Sequence, residues 1–246
     1  MHTLDGEQML MAWECCRERP AQEAALALLA LACPQQPREE LASLPLARRN
    51  ALLLELCAKM LGRRMEGFAV CPECGAQLEF VLDARELANG LHAPPAEAVR
   101  VGLTMRPANT RDLLASLDAG DEEQARSILL ARTLGFEERE DERGADEWLE
   151  SLPALSPETE PAALLERFER LNGPAEIRVE LQCAACRSRP LLDLDIARFL
   201  VRVTLGAARR LMAEIHELAK AYGWSERSIA AMSGARRAAY LEMLNA

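Results

Sequence analysis

Aromatic residues are scarce in this chain. Phe, Trp and Tyr make up 4% of 246 residues, and there are three histidines. An all-β sandwich rich in Val, Ile and Tyr is therefore excluded. So are a collagen-like chain and a disordered tail, because half of the residues are apolar and a sizeable core can form. No apolar run approaches the roughly 20 residues needed to cross a bilayer. The opening MHTLDGEQ lacks the basic-then-apolar order of a signal peptide. A cytoplasmic protein with no membrane partner is expected.

Catalytic signatures are also missing. The sequence contains no G-x-x-x-x-G-K-[ST], no G-x-G-x-x-G after a strand, no G-x-S-x-G and no H-E-x-x-H. His2 lies at a chain end and His92 in a Pro-rich stretch. His216 shares a helical segment with Leu211, Met212 and Ile215, where a half-buried structural histidine is expected. The chain is expected not to be an enzyme and to take no small-molecule substrate.

What the chain does have is Ala and Leu, about forty of each. These are strong helix formers, so helices should dominate. It carries 29 basic and 39 acidic residues, a net charge of −10, which opposes binding to phosphate backbones. Nucleic acid is accordingly not an expected partner. The charge is uneven: Asp112 to Glu169 holds 17 acidic and 5 basic residues, while Val201 to Ala246 holds 7 basic and 4 acidic. This gives either two solvated surfaces of opposite sign or a bipolar molecule that orients a partner.

The pattern along the chain alternates between two periods. Asp5 is placed to cap a helix over 5–18, and Pro20 to open a second, AQEAALALLALA, apolar nearly all round. A short helix PREELASL follows. Pro45 opens a third long helix with Leu46, Leu53, Leu56, Met60 and Leu61 on one face and Gly62 as its stop. The period then changes to two. Phe68–Val70 and Gln77–Leu82 read as strands, as do Val99–Met105, Ile177–Leu181 and Leu191–Ile196. Between them, Asn109 or Thr110 and Asp121 cap helices ending near Leu117 and Leu134. Residues 136–147 are charged without an apolar period, and Ser156 caps a helix through Leu171. From Ala197 the chain is helical again, in four pieces broken after Gly206, Gly223 and Met232.

Eight cysteines are present. In a reducing compartment they are not expected to form disulfides. Cys15, Cys16, Cys33 and Cys57 lie in apolar helical stretches and are expected to act as small buried hydrophobes. Cys71, Cys74, Cys183 and Cys186 form two C-x-x-C pairs, each between strands. Two such hairpin tips brought together give four thiolates at tetrahedral corners, the arrangement of a zinc ribbon. Pro72 and Gly75 suit the first turn. The second has Arg187 where the first has Gly75. The pairs are separated by 108 residues, much more than in a compact ribbon. A thioredoxin-like redox pair, a disulfide and plain structural cysteines are the alternatives, although no βαβ pattern follows either pair. The expectation is one structural Zn²⁺ per chain, held by Cys71, Cys74, Cys183 and Cys186.

The C-terminal WSERSIAAMSGARRAAYLEML divides into two short helices at Ser233-Gly234. It reads either as a helix-turn-helix, with Arg236 and Arg237 on phosphates, or as a hairpin that packs or binds a partner through Tyr240, Leu241 and Met243.

Several of these segments together resemble one family. They are Leu10, Trp13 and Glu14; Ala32-Cys33-Pro34; LASLPLARRNALLLEL; MEGFAVCPECGAQLEF; LQCAAC; and LAKAYGWSERSIAAMSGARRAAYLEML. The chain resembles the T-even-type phage baseplate hub assembly chaperones of contractile phages and phage-tail-like injection systems. Tyr222-Gly223-Trp224-Ser225 and Arg236-Arg237-Tyr240-Leu241 are the most specific part of the likeness. Two departures are Met60-Leu61-Gly62, where relatives often carry Phe-Gly, and the missing glycine of the second knuckle.

The resemblance implies a non-enzymatic assembly factor that binds hub or spike proteins in the bacterial cytoplasm and is absent from the finished particle. Candidate partner-binding residues are Trp224, Ile229, Met232, Tyr240, Leu241 and Met243, unless they only fill the core. The alternatives are a zinc-ribbon structural subunit of the baseplate and a zinc-ribbon nucleic-acid-binding regulator. The expected fold is mainly α with a small β zinc-ribbon-like element. Its parts are a helical 1–66, a first knuckle hairpin and strand over 67–105, an acidic helical insert over 106–175, a second knuckle over 176–196 and a helical 197–246.

Overall fold

The computed structural model describes residues 1–100, 103–136 and 161–244. Its N-terminal part is four helices: α1 (Gly6–Cys16), α2 (Ala21–Ala32), α3 (Arg38–Ser43) and α4 (Leu46–Leu61). A hairpin of β1 (Arg64–Val70) and β2 (Gln77–Asp83) follows, then α5 (Ala84–Gly90). The middle holds β3 (Glu97–Arg100), β4 (Leu103–Met105), α6 (Thr110–Ser116), α7 (Glu122–Thr133) and α8 (Pro161–Asn172). The last part is a second hairpin, β5 (Arg178–Glu180) and β6 (Leu191–Asp193), and the helices α9 (Ile196–Tyr222), α10 (Glu226–Ala230) and α11 (Gly234–Leu244). The fold is mainly α with three small antiparallel strand pairs.

Local sequence explains most helix starts. Asp5 accepts the Gln8 N–H at 2.8 Å while the Gln8 side chain accepts the Asp5 N–H at 3.1 Å, a complete capping box. Pro20, Pro37 and Pro45 each stand immediately before a helix, where proline sacrifices no helical hydrogen bond. Asp195 caps α9 by accepting the Arg198 N–H at 2.9 Å. That cap also ends the preceding strand early: β6 stops at Asp193 and does not continue to Ile196.

The main core joins distant parts of the chain. Leu28 and Leu29 of α2 and Leu53, Leu54 and Leu56 of α4 are fully buried with Ile196 and Leu200 of α9. Cys16, Cys33 and Cys57 lie in this core, and Cys15 packs against its edge. The buried side of α4 is wider than the predicted stripe. It includes Leu52 and Leu54, whereas Leu61, at the helix end, is exposed.

Helix α9 has 27 residues and serves two cores. Its first turns enter the main core. Farther along, Leu211, Ile215 and Leu218 form a second cluster with Ile229 and Ala230 of α10. The helix runs through Gly206, where the sequence predicts a break. A glycine inside a helix costs about 1 kcal/mol, less than the burial of apolar side chains on both sides of it returns. His216 is exposed on this helix and not half-buried, because it points away from the Leu211–Ile215–Leu218 side. Gly223, with φ +66°, ends the helix by donating its N–H to Ala219 O at 2.8 Å. The start of α1 closes on α10 so tightly that a Cβ on Gly6 would lie 2.2 Å from Ala230 O.

Val99–Met105 does not form one strand. β3 and β4 pair with each other, Glu97 opposite Met105 and Arg100 opposite Leu103. Alternation has the same form in one strand as in the two arms of a tight hairpin, so the pattern cannot separate them. Val99, Leu103 and Met105 form a separate cluster with Leu130, Leu134, Leu164 and Leu171. Residues 137–147 and Ser156 lie outside the described residues. Among the described residues, no helix is long and apolar enough to cross a membrane.

A buried carboxylate organises the turn into α6. Asp112 is wholly inaccessible. It accepts the Asn109 N–H at 2.9 Å, Arg106 Nη1 at 2.6 Å and Arg132 Nε at 3.2 Å. Removing the acid would take away the buried acceptor that Arg106, Arg132 and the Asn109 N–H share. Asp112→Ala should therefore lower unfolding free energy by about 3 kcal/mol in a urea titration. A loss below about 0.5 kcal/mol would show that the cluster contributes no more than a surface pair.

Candidate metal centre

The two knuckles are built alike. In the first, β1 and β2 pair from Arg64–Asp83 to Val70–Gln77, so the turn starts at Cys71. Cys71 donates its N–H to Ala76 O at 2.8 Å, and Gly75 donates to Cys71 O at 2.9 Å. In the second, β5 and β6 pair from Arg178–Asp193 to Glu180–Leu191. Cys183 donates to Ser188 O at 2.9 Å, and Arg187 donates to Cys183 O at 2.9 Å.

The residue after each second cysteine is left-handed. Gly75 has φ +73° and Arg187 has φ +61°. The turn thus keeps its shape without the glycine that the sequence pattern favours. An L-residue there pays a steric cost that glycine avoids. Arg187 is the one non-glycine residue with positive φ among those described.

These turns bring the four sulfurs together. Cys71, Cys74, Cys183 and Cys186 place their Sγ atoms within 4.8 Å of one another. Cys71 lies 3.7 Å from Cys186, and Cys74 lies 3.7 Å from Cys183. A tetrahedron around an ion with metal–sulfur bonds of about 2.3 Å has edges of about 3.8 Å. The spacing fits such an ion. All four corners are protein sulfur, so a held metal keeps no open position for water or substrate, as in structural sites.

Cys71 and Cys183 are buried and pack with Leu78, while Cys74 and Cys186 are exposed. Ser188 Oγ lies 3.0 Å from Cys186 Sγ and 3.5 Å from Cys71 Sγ. Its hydroxyl favours thiolate and is the main cause that brings Cys71 down to about 6; it also lowers Cys186. Cys74 is pushed up to about 12: the Ala76 N–H favours its thiolate, but the thiol contacts with Cys186, Cys183 and Cys71, together with desolvation, outweigh it. Four thiolates cannot share this space without a cation, and a bound metal supplies the missing positive charge. Sequence reading did not single out Ser188. Its one signal was a hydroxyl two residues after the last cysteine of the pair.

The C-terminal residues divide. Ile229 is fully buried in the Leu211–Ile215–Leu218 cluster, so it is a core residue and offers no surface to a partner. Trp224, Tyr240 and Leu241 are half-buried against that cluster, Met232 is half-buried, and Met243 is two-thirds exposed at 66%. Trp224 stacks on Tyr222 at 4.5 Å between ring centres and meets Tyr240 edge-on at 4.8 Å. Arg237 does not lie free for phosphate: its Nε donates to Glu214 at 2.7 Å, and Arg236 lies over the Tyr240 ring at 5.7 Å.

Compared with protein-family models, curated proteins and solved structures, the chain has no match.

The left-handed Arg187 yields a test of the knuckle geometry. Arg187→Gly should raise stability by about 0.5–1 kcal/mol in thermal or denaturant unfolding of the metal-loaded protein. Gly75→Ala should lower it by a similar amount. A destabilised Arg187→Gly protein would mean that the arginine side chain makes a contribution larger than its backbone strain.

Proposed function

We propose that the chain is a non-enzymatic assembly factor for the baseplate hub of a contractile phage tail or phage-tail-like injection system. It holds hub or spike components through an apolar helical surface until the assembly closes. The observation that carries this reading is the placement of the segment most like that family. Tyr222, Trp224 and Tyr240 form one stacked aromatic group at the end of α9, and beside them Met243 and Leu244 stand exposed on α11. Large aromatic and methionine side chains on a rigid support are the usual anchors of protein interfaces. With Ile229 committed to the core, the contact set is Trp224, Met232, Tyr240, Leu241 and Met243.

The four-cysteine centre holds Zn²⁺ in this reading, one ion per chain. Tetrahedral all-sulfur sites suit zinc or iron, and two C-x-x-C hairpin tips closing on one point are the arrangement of structural zinc ribbons. Its task is architectural: it fixes the first hairpin to the second, which leads into the long helix. The activity is therefore binding and release, performed in the bacterial cytoplasm, and the factor leaves before the particle is complete.

Co-expression with hub and spike proteins of the same system should give a complex that co-purifies with the chain. Met243→Asp together with Leu241→Asp should abolish it while leaving the circular-dichroism spectrum unchanged. Absence of any complex with baseplate components, and normal tail assembly without the chain, would refute the proposal. Metal analysis should find one zinc per chain, lost in Cys71→Ser and Cys183→Ser. Iron, or no metal after expression in zinc-replete medium, would refute the zinc assignment.

A further inference from the structure

A second site lies away from the cysteines and does not depend on the proposed assembly role. Arg49 of α4 is only 3% exposed, a buried cation in the helical body. Its Nε and Nη2 donate to Asn50 Oδ1 at 3.0 and 2.8 Å, and its Nη1 donates to Gln22 Oε1 at 2.7 Å. Both partners are neutral amides. A guanidinium has five N–H groups. Three are used, so one remains on each terminal nitrogen. No carboxylate among the described residues lies within ion-pair distance of it. Burial holds its pKa down to about 10, and Asp195 offsets this only from a distance.

Arg49 lines an open cavity of about 380 Å³. Its apolar walls include Leu46, Leu113, Phe168, Ile177 and Leu194. Three acids also reach the cavity: two share one cation, and the third has a cation and a cap. Glu176 pairs with Arg178, Asp193 lies 3.5 Å from Arg178, and Asp195 caps α9 and lies 4.0 Å from Arg198. Two of the other amide groups are engaged: Asn50 Nδ2 donates to Ala175 O, and Asn172 bridges Ala108 N–H and Phe168 O. The free donors among these groups are thus the remaining N–H groups of Arg49 and the Nε2 amide of Gln22, and only Arg49 carries a positive charge.

An unpaired buried charge is costly to keep, and cavities of this size with apolar walls and one polar anchor are the usual form of ligand sites. We infer that this cavity binds a carboxylate carried on an apolar group, with the guanidinium of Arg49 as its anchor. Arginine suits that task because its planar fork matches the two oxygens of a carboxylate. A free aliphatic acid and the terminal carboxylate of a partner chain ending in an apolar residue present the same chemistry.

The test is a titration of the full-length, metal-loaded protein followed by NMR. The probes are hexanoate, its neutral amide, and acetyl-Ala-Ala-Leu with a free or an amidated terminus. Saturable shifts at Arg49, Asn50 and Leu194 are expected with at least one of the two carboxylates. Hexanoate alone points to a small acid, and the peptide alone to a chain terminus. The neutral partner should bind about 10- to 100-fold more weakly, as expected for losing hydrogen bonds to a charged group. Arg49→Met keeps the apolar volume, so it should remain folded, melt higher than the parent and lose the carboxylate response by a similar factor. Arg49→Lys serves if the methionine variant fails to fold, and should also weaken binding. No saturable shift with any probe, equal binding of acid and amide, or undiminished binding by the variants would overturn the inference.

Discussion

Four sulfur atoms within 4.8 Å of one another tie residues 71–74 to residues 183–186. The fold depends on this constraint because the tie closes a long loop. Between the two pairs lie 108 residues, including the strand pair β3–β4 and the helices α6 to α8. Those elements have a small core of their own around Met105, Leu164 and Leu171. The hairpins on either side pack on the cluster through Leu78, Leu181 and Leu192, a thin apolar contact. Each hairpin is a single pair of strands, a unit that is marginal alone, and away from the tips Phe80, Leu82 and Val179 pack on the main core.

The second organising element is apolar. α9 begins ten residues after Cys186 and lays Ile196, Phe199 and Leu200 into the core made by α2 and α4. The cysteine cluster and this core therefore specify the same arrangement by different means, one by the convergence of four side chains at a point and the other by broad burial. Arg49 is the exception within this arrangement. It places an uncompensated charge beside the region where leucines and alanines otherwise exclude water. A protein that keeps such a charge bears a stability cost, and sites that bear such costs are commonly the ones that bind.

Much of this was legible in the sequence, and the failures have physical causes. Helix starts at Asp5, Pro20, Pro37, Pro45, Asn109 and Asp121 were readable because capping and proline effects are local. The two knuckles were readable because C-x-x-C between strands constrains both spacing and chemistry. That the pairs converge across 108 residues was an inference from ligand number, since no local signal reports it. The break expected at Gly206 was wrong because tertiary burial overrides one residue's propensity. Ile229 looked like a contact residue because apolar spacing on a short helix does not say which side faces the chain itself. Arg49 gave no signal at all: among five arginines between Arg38 and Arg64, only the packing distinguishes the buried one.

At 1.5 Å per residue, the 27 residues of α9 make a rod about 40 Å long. One end starts at the Asp195 cap, ten residues after Cys186, and the other carries the Tyr222–Trp224–Tyr240 stack. No kink-forming proline interrupts it. The rod acts as a gauge: it fixes both the separation and the rotational phase between the clamp and the aromatic tip. Inserting a single residue would turn the tip by about 100° about the axis, so the length of this helix is itself part of the binding geometry.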